Sequence, residues 1–168
     1  MLEFGTENKE ITVNSPSAPF ILSINDNADN QLKILIALSK KGEKENLDLK
    51  EYPNDGGNKL QKILMHSSPV YEDMDNVYQI LFERYIIYQC RNESYTSYDE
   101  GEIRKGNFLI IFERSRLLDY YKDVIFDFDR EKTKSTRKHY GIYTENHIID
   151  VISNIPPIIT KVLCHKEG

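Results

Sequence analysis

His139, His147 and Asp150 are the residues whose types and spacing most invite chemistry, two imidazoles and a carboxylate in one short stretch, "HYGIYTENHIID". If Glu145-Asn146 is the tip of a hairpin, His139 and His147 fall on neighbouring strands. There an imidazole could act as general acid or base, or as a metal ligand. His147 and Asp150 stand three apart, so a strand points them to opposite faces, and pairing them needs a bulge or a helical turn. Zinc usually needs three or four converging ligands, so the set predicts no metal site. The plainer expectation is a partly exposed His139 at a strand start and a hydrogen-bonded turn or edge acid at Asp150.

A second cluster lies in "CRNESYTSYDEG", residues 90–101. Tyr88, Arg91, Glu93, Tyr95 and Tyr98 would gather tyrosines, an arginine and a carboxylate at one end of a sheet. Tyr and Arg combine large contact area with fixed polar ends, which suits protein recognition better than chemistry. Asn92, Ser94 and Thr96 fit equally well as residues that satisfy backbone groups in a turn. Arg116 falls in the first turn of an expected helix, where a cation gains nothing from the helix dipole. A bound anion or acidic partner would explain it, as would a solvated arginine whose stem lies on apolar surface.

Nucleophile signatures are missing. No Gly-x-Ser-x-Gly elbow surrounds Ser94, Ser97 or Ser115, and Cys90 carries no local catalytic motif. Ser115 is better read as a helix cap, and Cys90 as a small buried hydrophobe. "NDGGNK" lacks Walker spacing and a hydroxyl after the lysine, so it reads as a turn. The alternating acids of "DFDRE" read as a solvated helix exit. No catalytic residue and no cofactor follow from these motifs.

The elements that must position these residues are mainly strands. "PFILSIND", "QLKILIALSKK" and "NLDLKEY" read as a meander broken by polar turn clusters, although the middle member fits a helical period as well. "KLQKILMH" places Leu60, Ile63 and Leu64 on one face of a short helix near residues 58–66. "SSPVYEDMD" reads as an acidic connection. "NVYQILF" and "YIIYQC" read as a hairpin turning at Glu83-Arg84. "NFLIIFE" is a further strand, reached through the charged loop "DEGEIRKG". Ser115 then caps the best helix of the chain, near 115–128, whose stripe is Leu117, Leu118, Tyr121, Ile125 and Phe128. A charged linker over 129–138 leads to the hairpin "HYGIYT"/"HIIDVIS" and a last strand, "IPPIITKVL", set by Pro156 and Pro157. The fold class expected is α+β: a predominantly antiparallel sheet of about eight or nine strands with those two helices, in a single domain over 1–168.

Composition bounds the setting. The 168 residues carry 22 basic and 27 acidic side chains, a net charge of −5, which gives no global field for phosphate backbones and predicts no nucleic-acid partner. Cys90 and Cys164 lack the spacing of a zinc site or disulfide framework and are expected as free thiols. The polar, acidic opening "MLEFGTENKEITVNSPS" does not read as a secretory signal, and no apolar run approaches a membrane span. A cytoplasmic location is expected.

Three stretches, "RNESYTSYDE", "FLIIFERSRLLDYY" and "KHYGIYTENHIIDVIS", resemble blocks that occur in this order in a group of small bacterial proteins of unassigned activity, mostly from Gram-positive species. The resemblance spans residues 76–160. It implies a bacterial cytoplasmic protein built as one α+β module, and it transfers no catalytic residue. Together with the tyrosine and arginine cluster, it leads to the expectation of a non-enzymatic module that binds another protein, as an immunity or regulatory partner. The contact residues expected are Tyr88, Arg91, Glu93, Tyr95, Tyr98, Arg116 and His139. The alternative is an enzyme or small-ligand binder with a cleft around Arg91, Glu93, Tyr95, His139 and His147. A concave pocket with converging ionisable groups would favour the alternative, and an open tyrosine-rich face the first.

Overall fold

The computed structural model describes residues 2–7, 17–43, 68–97, 99–124 and 137–162. They form nine strands in two antiparallel sheets and, among the described residues, one α-helix. One sheet holds β1 (Phe20–Asp26), β2 (Leu32–Lys41), β3 (Val70–Phe82) and β9 (Ile158–Val162), in that order. The other is ordered β4, β8, β7, β6, β5, built from β4 (Ile87–Asn92), β5 (Ile103–Lys105), β6 (Leu109–Arg114), β7 (Lys138–Tyr143) and β8 (His147–Ser153). The helix α1 (Arg116–Val124) follows β6 directly. The α+β expectation with a dominant antiparallel sheet therefore holds.

Strand periodicity explains how the sheets meet. Leu32, Ile34 and Ile36 alternate along β2, and Tyr78, Ile80 and Phe82 along β3. They join Leu109, Tyr140, Ile142, Ile149 and Val151 from the five-stranded sheet in one buried cluster. Burying such side chains supplies the main driving force for the fold. Leu2 and Phe4 tuck into the same core, and the Phe4 ring meets Phe82 and Tyr140 edge-on at 6.2 and 5.1 Å.

Because strand side chains alternate, the other face of the five-stranded sheet carries the residues that alternate with these core residues. Those are Gln89 and Arg91 on β4, Phe112 on β6, His139, Gly141 and Tyr143 on β7, and Asp150 on β8. Helix α1 lies over the rim of this face, where Leu117 and Tyr121 pack on Ile152 and the half-buried Ile86, Ile87 and Leu118.

Several expectations need correction. "YEDMD" is not a connection but the first half of β3, paired with β2 from Val70 onward. β3 and β4 form no hairpin: β3 pairs with β2 and β9 in one sheet, whereas β4 pairs with β8 in the other, so Glu83-Arg84 is a crossing between layers. The "DEGEIRKG" loop contains the short strand β5, which pairs with β6. Lys138, expected in the linker, begins β7. The expected strand "NLDLKEY", the short helix near 58–66, the helix residues beyond Val124 and most of the 129–138 linker lie outside the described residues. The strand reading of "QLKILIALSKK", the hairpin β7–β8 and the final strand agree with the structure.

Candidate functional site

The outer face of the five-stranded sheet brings together a serine, a histidine and an aspartate. The register of the β7–β8 hairpin sets Gly141 opposite Asp150 and Ile152 opposite His139. His139 and Asp150 are therefore diagonal neighbours on one face. His139 Nε2 lies 3.0 Å from Asp150 Oδ1, and His139 Nδ1 lies 2.8 Å from Ser115 Oγ. All three residues are buried, with exposures of 2%, 1% and 1%.

Ser115 reaches His139 because it stands between the end of β6 and the start of α1. Its Oγ accepts a hydrogen bond from Leu118 N–H at 3.2 Å, the capping role expected from its position. With that lone pair used, the hydroxyl proton is free to go to His139 Nδ1. The other ring nitrogen then donates to Asp150, and every member of the chain is satisfied in the neutral imidazole. The Phe112 ring stacks on the imidazole, with centroids 4.1 Å apart and planes 8° from parallel, which fixes its tilt.

Asp150 is held from its other side by β4. Oδ2 accepts from Gln89 Nε2 at 3.0 Å and from Arg91 through Nε at 3.1 Å and Nη2 at 2.8 Å. Burial pushes this carboxyl up, but the hydrogen bonds from His139 and Gln89 and the positive charge of Arg91 outweigh it, and it titrates below the usual carboxylate range. Gly141 sits opposite Asp150, where a Cβ would come within 2.9 Å of ring atoms of both Phe112 and Tyr143.

His139 and Asp150 also line a cavity of about 240 Å³. Arg91, Arg116, Asp99 and Glu102 contribute to its walls, so ionisable groups from β4, α1 and the turn before β5 converge on it. This volume approaches the lower range of small-ligand pockets.

The expected site residues divide. Arg91, Arg116 and His139 line the cavity. Tyr88 points to the opposite face, packing on the core with its ring 5.0 Å from Tyr85. Glu93 and Tyr95 form a short 3₁₀ turn after β4; Tyr95 is 89% exposed and neither lines the cavity. Tyr98 lies outside the described residues. His147 is at the far end of the hairpin, paired with Asn92, so it does not meet His139. His139 itself is buried rather than a partly exposed strand start, because α1 and Phe112 cover it. Cys90 is exposed on the edge strand β4, not buried, and Cys164 lies outside the described residues.

Gln89 was not expected at the site, Ser115 was expected there only as a helix cap, and Asp150 was considered with His139 and His147 but expected as a turn or edge acid. The hairpin register carried the signal for Asp150, since a turn at Glu145-Asn146 already places it diagonally from His139. Among the described residues no group of three or more His, Cys, Asp or Glu could hold a metal ion, and no helix is long and apolar enough to cross a membrane. No protein-family model, curated protein or solved structure matches the chain.

Proposed function

We propose that this protein is a serine-dependent acyl hydrolase or acyltransferase in which Ser115 is the nucleophile, His139 the general base and Asp150 the residue that orients the imidazole. The hydrogen-bonded sequence Ser115 Oγ, His139 Nδ1, His139 Nε2, Asp150 Oδ1 carries the reading. Nucleophile, base and orienting acid are recognised by such geometry and roles rather than by chain order. His139 and Asp150 border the larger cavity, and Ser115 borders the smaller gap beside it.

In the reaction, Ser115 Oγ attacks the carbonyl carbon of an ester or amide while its proton moves to His139 Nδ1. The imidazolium that forms is stabilised by Asp150 and returns the proton to the leaving alcohol or amine. Water, deprotonated by the same nitrogen, then releases the acyl group as a carboxylic acid. Position 115 also favours negative charge on oxygen, because the Leu118 amide at the start of α1 already donates to Oγ. The test is turnover of p-nitrophenyl esters followed from the first seconds. A burst of nitrophenol in proportion to protein, lost in Ser115→Ala and His139→Ala, is expected. Steady turnover that survives both substitutions would sink the reading.

As a second reading we propose the protein-binding role expected from the sequence, that of a cytoplasmic bacterial immunity or regulatory partner. It draws support from the exposed apolar surface of Tyr95, Ile103 and Tyr120, which are 89%, 52% and 54% exposed. Crosslinked pull-down from the native host that yields no stoichiometric partner would remove it.

A further inference from the structure

Ser115 is only 1% exposed, and Gly101 and Glu102, from the turn that begins at Asp99, wall a small gap together with it. Glu102 Oε1 accepts a hydrogen bond from the Arg116 backbone N–H at 3.2 Å. Asp99 Oδ2 accepts from Arg116 Nε, and Asp99 Oδ1 from Gly101 N–H at 2.7 Å. The Glu102 N–H in turn donates to the Asp99 carbonyl at 3.1 Å. Two carboxylates of one turn thus hold the first residue of α1 from both its backbone and its side chain. Beside the larger cavity, a gap of about 30 Å³ lies between turn and helix, walled by Gly101, Glu102, Ser115 and Arg116.

From these contacts we propose that the turn Asp99–Glu102 is a latch that restrains access to Ser115 and slows its acylation in the resting protein; the proposal rests on the hydrolase reading above. Glu102 acts in two ways. Its carboxylate occupies the Arg116 N–H, the backbone donor next to the nucleophile and the one best placed to receive the oxyanion of an attacked carbonyl. Its charge also opposes the negative charge that would develop there.

The latch is built to release. Arg116 and Asp99 have side-chain exposures of 81% and 30%, so water can replace their contact at little cost. The strand that follows, β5, has three residues, all exposed, and its pairing with β6 is broken by a bulge between Ile103 and Arg104. By contrast the Ser115, His139 and Asp150 sequence is buried and fully bonded. Opening the turn therefore exposes a preformed relay without rebuilding it.

The experiment is the rate of covalent labelling by an alkyl fluorophosphonate, in which the Ser115 Oγ–P bond forms as fluoride leaves, mapped by peptide mass spectrometry. Wild type, Glu102→Ala, Glu102→Gln and Asp99→Ala are compared, with Ser115→Ala as the blank and circular dichroism as the check on folding. Removing a charged acceptor from a backbone donor is expected to speed labelling at Ser115 by about tenfold. Glu102→Gln keeps an acceptor oxygen and so reads the charge alone, whereas Glu102→Leu, added to the set, keeps roughly the size of the side chain without an acceptor and decides the matter if an alanine variant fails to fold. Equal rates at Ser115 in wild type and the folded variants overturn the latch and leave the hydrolase reading intact. Absence of a Ser115 adduct in every variant overturns both.

Discussion

His139 and Asp150 meet diagonally across the β7–β8 hairpin, with Nε2 3.0 Å from Oδ1, because Gly141 rather than His139 stands directly opposite Asp150. That offset leaves the second carboxylate oxygen free to face β4, where Arg91 and Gln89 take it. One acid therefore orients the imidazole and anchors the edge strand.

Asp150→Asn should separate these roles from simple packing, since it keeps shape and removes charge. Breaking a buried ion pair costs about 3–5 kcal/mol, and because Arg91 is 38% exposed to water the expected loss here is smaller, about 2–3 kcal/mol. Acylation should fall by roughly 10³–10⁴-fold, as an imidazole deprived of its orienting anion does. Urea denaturation and burst kinetics on the same variant measure the two effects.

Acid should reveal the same group. The folded Asp150 carboxyl titrates below its ordinary value of 3.8, so its stabilising contribution is complete above that value and is lost as pH falls through the folded one. The stability gap between wild type and Asp150→Asn should therefore be widest near neutral pH and narrow below 3.8. A gap that stays constant from neutral pH to strong acid would show that the carboxylate charge contributes nothing.

Ser115→Ala removes a helix cap as well as a nucleophile. Loss of the Leu118 N–H bond should cost about 1 kcal/mol, in the range found for such caps, whereas acylation should disappear. Ser115→Thr retains the oxygen and so should recover most of the lost stability, read as the denaturation midpoint.

Gly141→Ala tests the space around the relay. The added Cβ would press on ring atoms of Phe112 and Tyr143 at 2.9 Å, within a strand and with no flexible neighbour to yield. Overpacking of this kind costs about 1–3 kcal/mol. The denaturation midpoint should drop with an unchanged slope.

Much of the local structure was legible because local rules decide it. Ser115 before an apolar stripe marks a capped helix, and β-branched runs around Glu145-Asn146 mark a hairpin; both appear as expected. The β3–β4 crossing was not legible, since whether two adjacent strands pair or part depends on which layer buries them, and their own period is the same either way. Cys90 looked apolar in sequence but falls on an edge strand, a position that only the sheet order reveals. The Ser115 contact with His139 was hidden for the same reason: 24 positions separate them, and the packing of α1 over the sheet brings them together.

The most direct measurement of the central claim is the site of covalent modification by the fluorophosphonate in wild type and in His139→Ala, read by peptide mass spectrometry after prolonged exposure. The account predicts an adduct on Ser115 in wild type that is at least about 100-fold slower to form without the imidazole, the low end of the contribution of a general base. An adduct elsewhere, or one on Ser115 that forms equally fast in His139→Ala, would contradict it.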